Sequence, residues 1–292
     1  YDRKEWLPNI NGEKYNLEAI EFLKELNVEV FKNNPYAIMA AEESTDFPKI
    51  TSPVYEGGLG FSYKWNMGWM NDSLTYISSP NRHDIHNKIT FSFMYAYNEN
   101  YILPLSHDEV VHEKKSLIEK MPGDYDDQFK NLRMYAGYMI THPGKKISFM
   151  GNEIGQFVEW NYNNSIEWFL LKYPRHREMK KFIHDLNKIY LDNPSLWELD
   201  YSPKGMEWIR GEDLLIFKRF DKKGNHLLII INFTNNNYKN YKTKVNCQYE
   251  ELINSESNKY GGDAEKINVD YDSGNLIINI PSLIFIIFKP II

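Results

Sequence analysis

Four times before residue 150, a short apolar run breaks into polar residues, and helix-like stretches lie between and around these runs; this order constrains the fold more than any other feature of the chain. The run at 36–41 ends in Glu42, Glu43, Ser44, Thr45 and Asp46, and the run at 60–65 ends at Asn66. The run at 101–105 ends in Ser106, His107, Asp108 and Glu109, and the run at 146–150 ends in Gly151, Asn152 and Glu153. Short apolar runs without alternation are the pattern of parallel strands covered on both faces. Helical spacing is clearest at 16–32, where Leu17, Ile20, Leu23, Leu26 and Val30 recur every three or four residues behind a capping Asn16. Further helical stretches are expected at 85–97, 126–141 and 177–193. Strands alternating with helices predict parallel β/α units, and polar residues at the carboxyl ends of successive strands fit a (β/α)8 barrel better than an open sheet. Periodicity by itself leaves a doubly wound sheet open.

The pattern changes after about residue 200. Strand-like runs at 214–220, 226–234, 241–246, 249–254, 266–271 and 276–280 follow one another with turn signals such as DKKGN and DSGN between them and no helix. They predict a small antiparallel β-sandwich. With a boundary near 201–204, the expected organisation is an α/β part at 1–203, the carboxyl-terminal half of a (β/α)8 barrel, followed by an all-β sandwich domain at 204–292. The Asn-rich segment at 232–242 reads as a polar hairpin loop. The longest apolar run, 283–288, is far shorter than the roughly 20 residues of a membrane helix.

Charge narrows the classes of partner. Thirty-four Lys and Arg against forty Asp and Glu leave a net charge of -6, which gives no positive field to hold nucleic acid or an anionic membrane. The single cysteine, Cys247, can form neither an internal disulfide nor a thiolate metal cage, so the expected compartment is the cytoplasm. The chain opens at Tyr1 with no basic-then-apolar leader, and it is expected to begin within a longer protein.

Chemistry is expected at the strand ends. Adjacent strand residues point to opposite faces, so one of Glu42 and Glu43 faces the barrel axis and the other supports it. In LPLSHDEVVHEKKS, His107 and His112 are five residues apart, about 140° on a helix, which separates them as metal ligands; the zinc pattern HExxH is absent, and neither a metal nor another cofactor is expected. An imidazole and a carboxylate emerging together from an apolar strand suit instead a substrate hydroxyl or a developing positive charge. Glu153 follows another strand, where it can serve a ligand or a neighbouring loop. Aromatic residues make up 15% of the chain, and Tyr63, Trp65, Trp69, Trp160 and Trp168 fall in or after strand ends, where a ring face can stack on a pyranose. Acids at two strand ends with an imidazole and aromatics fit glycosidic-bond chemistry, in which carboxylates flank the bond and stabilise an oxocarbenium-like state.

The strings AEESTDFP, GGLGFSYKWNMGWMNDSLTYI, LPLSHDEVVHEKKSLIEKMPGD and PGKKISFMGNEIGQFVEWN resemble the glycogen (1,4-α-glucan) branching enzymes of the α-amylase superfamily, glycoside hydrolase family 13, and the resemblance runs through nearly the whole chain. It implies that Glu42 is the general acid/base, that Asp108 is the carboxylate that grips substrate hydroxyls and stabilises the transition state, and that His107 hydrogen-bonds the sugar at the cleaved bond. Trp65, Glu109, Glu153 and Trp160 are candidate substrate-binding residues. Such an enzyme cuts an α-1,4 bond in glycogen or amylose and passes the segment to a 6-hydroxyl with retention, using no cofactor. The family's nucleophile, the Asp of an Arg-x-Asp motif, falls upstream of residue 1, and Asp2 does not match it. The amino-terminal half of such an enzyme is therefore an expected partner, and the chain on its own is expected to be inactive, since half a barrel cannot close. Two alternatives remain: an α-glucan hydrolase of the same superfamily, and a non-catalytic glucan-binding remnant.

Overall fold

The computed structural model describes residues 7–211 and 214–291; Asp2 lies outside them. The described residues divide into two compact units, one of 7–65 with 98–101, the other of 66–97 with 102–211 and 214–291.

In the first unit, helix α1 (Leu17–Asn33) starts where Asn16 Oδ1 accepts the Ala19 N–H at 2.9 Å and ends at Asn34, before the amide-less Pro35. Its inner face sets Ile20 and Leu23 on a small core of Ala41, Ile50 and Leu59. Strand β1 (Ala40–Ala41) pairs in parallel with β2 (Tyr63–Trp65). The run at 36–41 is thus a strand only at its end, a correction to its expected length. Tyr36 and Ile38 are 94% and 68% exposed, Tyr36 lies in a turn in which the Ala37 N–H donates to the Asn34 carbonyl, and bonding to the neighbouring strand segment begins only at Met39, whose carbonyl accepts the Ser62 N–H.

In the second unit, α2 (Met67–Ser78) begins at Asn66, whose side chain accepts the Trp69 N–H. Sequence reasoning missed this helix because Gly68, Asn71, Asp72, Ser73 and Thr75 are weak helix formers; tertiary burial of Trp69, Met70, Ser73, Tyr76 and Ile77 on one face overrides them. The single helix expected at 85–97 is instead a 3₁₀ turn at His83–Ile85, a short α3 (Asn87–Thr90) and a second 3₁₀ turn at Phe91–Met94. There the Thr90 hydroxyl donates to the Asn87 carbonyl and Ser92 Oγ engages His142, side-chain bonds that compete with a regular helix. Strand β3 (Tyr101–Leu105) pairs in parallel with β4 (Lys145–Ser148) through α4 (Tyr125–Thr141), and α5 (Pro174–Asp192) packs beside α4.

The remaining strands are β5 (Met206–Gly211), β6 (Leu214–Phe220), β7 (His226–Asn232), β8 (Tyr238–Lys244), β9 (Tyr249–Asn254), β10 (Val269–Asp272), β11 (Asn275–Ile280) and β12 (Ile284–Pro290). They form an antiparallel sheet of order β5-β6-β7-β12-β9 and a smaller one of order β10-β11-β8. β8 begins inside the segment expected to be a hairpin loop, a correction that follows from its pairing with β11. The runs LLIF, LLIII and IFIIF are continuously apolar because the larger sheet is covered twice. Leu214, Ile216, Leu228, Ile230, Ile284 and Ile286 meet Leu276, Ile278 and Ile280 of the smaller sheet. The alternate residues Leu215, Phe217, Ile229, Ile231, Phe285 and Ile287 join the core of α2, α4 and α5. The contact is tight: a Cβ on Gly137 of α4 would lie 2.3 Å from the Phe285 ring.

His142, at the end of α4, is fully buried among the rings of Trp69, Phe93 and Tyr138. Burial pushes its imidazole down to about 3. Between pH 6.5 and that value the unfolded histidine holds a proton that the folded one does not, so stability falls as the pH drops, by up to about 1.4 kcal/mol per pH unit. His142→Gln, which does not titrate, is expected to flatten the acid limb of stability measured by denaturant unfolding across this range. Slopes that coincide with the wild type would refute this assignment.

Candidate functional site

In the first unit, β1 delivers Glu42 with its side chain exposed. The next residue, Glu43, turns back, and its carboxylate accepts the Thr45 N–H at 2.6 Å, while the Thr45 hydroxyl accepts the Phe47 N–H. Lys64, buried in the middle of β2, donates to the Thr45 carbonyl at 2.9 Å and so fixes the turn that follows the acidic pair. Sequence reasoning passed over Lys64; the signal was a lysine inside an otherwise apolar and aromatic run. Trp65, half-buried, ends β2.

In the second unit, β3 runs into a 3₁₀ turn at His107–Val110. Ser106 caps it: its hydroxyl accepts the Asp108 N–H at 3.3 Å, and the Glu109 carboxylate reaches back to accept the Ser106 N–H. This reciprocal cap decides which side chains face water. Glu109 is buried, whereas the His107 and Asp108 side chains are 50% and 46% exposed, with His107 Nε2 3.2 Å from Asp108 Oδ1. The His107 ring lies 5.7 Å from the ring of Trp160 and 6.1 Å from that of Phe149, which also meet edge to face. The Trp160 N–H donates to the Val110 carbonyl at 3.0 Å, closing the segment over the end of the turn.

Glu153 follows β4, where its carboxylate accepts the Gly151 N–H at 2.8 Å. Gly151 (φ +93°) and Gly155 (φ +64°) flank this turn in the left-handed region that favours glycine. Glu153, Asn152, Ser148 and Asn187 are polar residues lining a cavity of about 240 Å³ whose wall is otherwise mostly apolar, with side chains such as Leu105 and Met179. Trp69, an aromatic candidate for sugar stacking, is fully buried against the rings of Tyr135 and Tyr138, a correction: the core of the unit claims it. Trp168 remains half-exposed.

The second unit therefore brings His107, Asp108 and Trp160 together, while Glu109 and Glu153 engage backbone amides. A half-exposed carboxylate can accept from one sugar hydroxyl while the imidazole beside it donates to a neighbouring one, with the aromatic wall limiting the angle of approach. Among the described residues no three His, Cys, Asp or Glu side chains converge as a metal site, and no helix is long and apolar enough to cross a membrane.

Residues 208–291 match the family model of the α-amylase C-terminal all-β domain. The chain is 46% identical to the 1,4-α-glucan branching enzyme GlgB of Halothermothrix orenii over 98% of its own length and 48% of that protein's. It is 50% identical to the enzyme of the same name from Geobacillus stearothermophilus, over 87% of this chain and 41% of the relative. The chain thus spans about half the length of the relatives it matches. Its fold is similar to the crystal structure of α-amylase from H. orenii, with a TM-score of 0.62 at 18% identity over 94% of this chain and 57% of that one. Parallel β/α units followed by an antiparallel sandwich are the architecture of half a (β/α)8 barrel and its terminal β domain. Identity of this extent, on a fold that presents a histidine and an aspartate at a barrel strand end, places the sequence: the chain belongs to the 1,4-α-glucan branching enzyme family of the α-amylase superfamily.

Proposed function

We propose that the chain supplies part of the catalytic machinery of a 1,4-α-glucan branching enzyme, with a barrel part up to about residue 203 and a β-sandwich after it. The observation that carries this reading is the 46% identity to such an enzyme across 98% of the chain. In this reading the substrate is an α-glucan such as glycogen or amylose and the setting is the cytoplasm. Glu42 gives its proton to the glycosidic oxygen as the α-1,4 bond breaks; its carboxylate then takes the proton of the incoming 6-hydroxyl as the α-1,6 bond forms. Asp108 accepts hydrogen bonds from hydroxyls of the sugar at the cleaved bond and, as an anion, favours the positive charge that develops there. His107, 3.2 Å from Asp108, donates to the same ring. Trp65, Glu109, Glu153 and Trp160 are the candidate substrate-binding residues of this reading. Retention requires a carboxylate nucleophile, and about half the length of the relative lies outside the matched part.

The protein purified as its source makes it and given amylose tests this. Branching is expected to lower iodine absorbance with little new reducing sugar. Reducing ends that rise in step with the loss of absorbance would replace branching by hydrolysis. Glucan retention without turnover, unchanged by Glu42→Gln, would replace it by binding alone.

A further inference from the structure

Beyond the His107–Val110 turn, three non-glycine residues adopt the left-handed conformation within four positions: His112 (φ +58°), Glu113 (φ +64°) and Lys115 (φ +69°). Residues other than glycine enter this region at a steric cost and hold it where the surroundings over-determine it, a condition met most often at functional sites. All three side chains are exposed, so side-chain packing does not supply the restraint. Polar groups do. The carboxylate of Glu159 accepts the Glu113 N–H at 3.0 Å with one oxygen and the Lys115 N–H at 2.5 Å with the other. From the other side the Lys120 ammonium donates to the carbonyls of Lys114 and Lys115. The clamp is connected to the candidate site at both ends: Lys114 Nζ donates to the Asp108 carbonyl at 2.8 Å, and Trp160, next in sequence to Glu159, packs against His107 and binds the Val110 carbonyl.

We infer that Glu159 is a positioning residue, whose two-pronged acceptance of the 113 and 115 amides holds the strained loop so that Lys114 and Trp160 fix the turn bearing His107 and Asp108. The inference rests on the role proposed above for those two residues. A carboxylate suits the task because each oxygen accepts one amide, and its charge strengthens both bonds. Glutamine offers one acceptor and turns a donor toward the other amide; alanine offers none. Glycine at 113 and 115 would adopt the same backbone without help.

The test measures kcat and KM for branching, melting temperature and amide exchange in the protein as its source makes it, for Glu159→Ala, Glu159→Gln, Glu159→Ala with Glu113→Gly and Lys115→Gly, and Asp108→Asn. Glu159→Ala is expected to lower kcat by about 10²-fold, the cost of misplacing a catalytic group by roughly an ångström. KM should change little and the amides of residues 113 and 115 should exchange faster. Glu159→Gln should fall between Glu159→Ala and wild type, and the two glycines should restore most of kcat. If Glu159→Ala fails to fold, the glutamine variant and the glycine-containing variant carry the same comparison. An unchanged kcat in Glu159→Ala beside a dead Asp108→Asn overturns the inference and leaves the site standing. Activity that falls only with melting temperature, and that glycine does not restore, also overturns it. A fully active Asp108→Asn overturns the site itself, and this inference with it.

Discussion

Replacing Glu42 by Gln is expected to reduce branching turnover by about 10²–10⁴-fold, the range of a lost general acid/base, while glucan binding is retained. The amide is nearly isosteric but has no acidic proton to give the leaving oxygen and no basic site to receive one from the acceptor hydroxyl. The experiment also resolves an ambiguity inherent in two adjacent acids. Glu43 spends its carboxylate on the Thr45 N–H, whereas the Glu42 side chain is exposed beyond β1. Glu43→Gln should therefore lower turnover by less than Glu42→Gln and do so through the geometry of the turn that Lys64 also holds. Kinetics on amylose with both variants decide the matter: equal losses, or a larger loss for Glu43→Gln, would exchange the roles.

The largest expected effect on stability lies far from this chemistry. Arg219 of β6 is fully buried and donates to the carbonyls of Thr141, Leu196 and Gly205 and, at 2.7 Å, to Asp200 Oδ1. One guanidinium thereby joins the end of α4, the connection after α5 and the β-sandwich. Burial pushes the Asp200 carboxyl up, but Lys146, Arg219 and Lys145 outweigh this and hold it below its ordinary value. Arg219→Ala removes a partner of a buried anion and strands three carbonyls, and breaking a buried pair in this way costs about 3–5 kcal/mol. Arg219→Lys should recover only part of this, because an ammonium cannot span the same fork of acceptors. The exposed pair of Lys32 and Glu29 is the contrast, with Lys32→Ala expected to cost at most about 0.5 kcal/mol. Denaturant unfolding of the three variants measures all of this; a cost below about 1 kcal/mol for Arg219→Ala would show that the cluster adds little.

Several elements were legible because local chemistry and tertiary packing agree in them. α1 carries its own apolar stripe and its own cap at Asn16, and β3 and β6 begin as apolar runs bounded by polar residues or turns, so the two strands have the expected limits and the helix lies within a residue of its own at each end. α2 was not legible, because only burial against the aromatic core makes a helix of a segment with Gly68, Asn71, Asp72, Ser73 and Thr75. Nor was β12: an apolar run at 284–288 does not itself say which strands it joins, and only the assembled sheet sets it between β7 and β9. In the candidate site, a histidine and two acids after an apolar strand marked the position. That pattern does not tell Asp108 from Glu109, which the serine cap sends to opposite sides of the turn.

Residue order was enough to specify the alternation of strands and helices, the change to antiparallel strands beyond residue 200, and the strand ends where polar chemistry gathers, since period and turn chemistry are local properties. Packing assigned the rest. It turned Glu43 and Glu109 to backbone amides, buried Trp69, and bent residues 112–115 into a conformation that needs Glu159 from 44 positions away. Such choices depend on which amides, rings and charges meet across the fold, and those meetings exist only once distant segments are brought together.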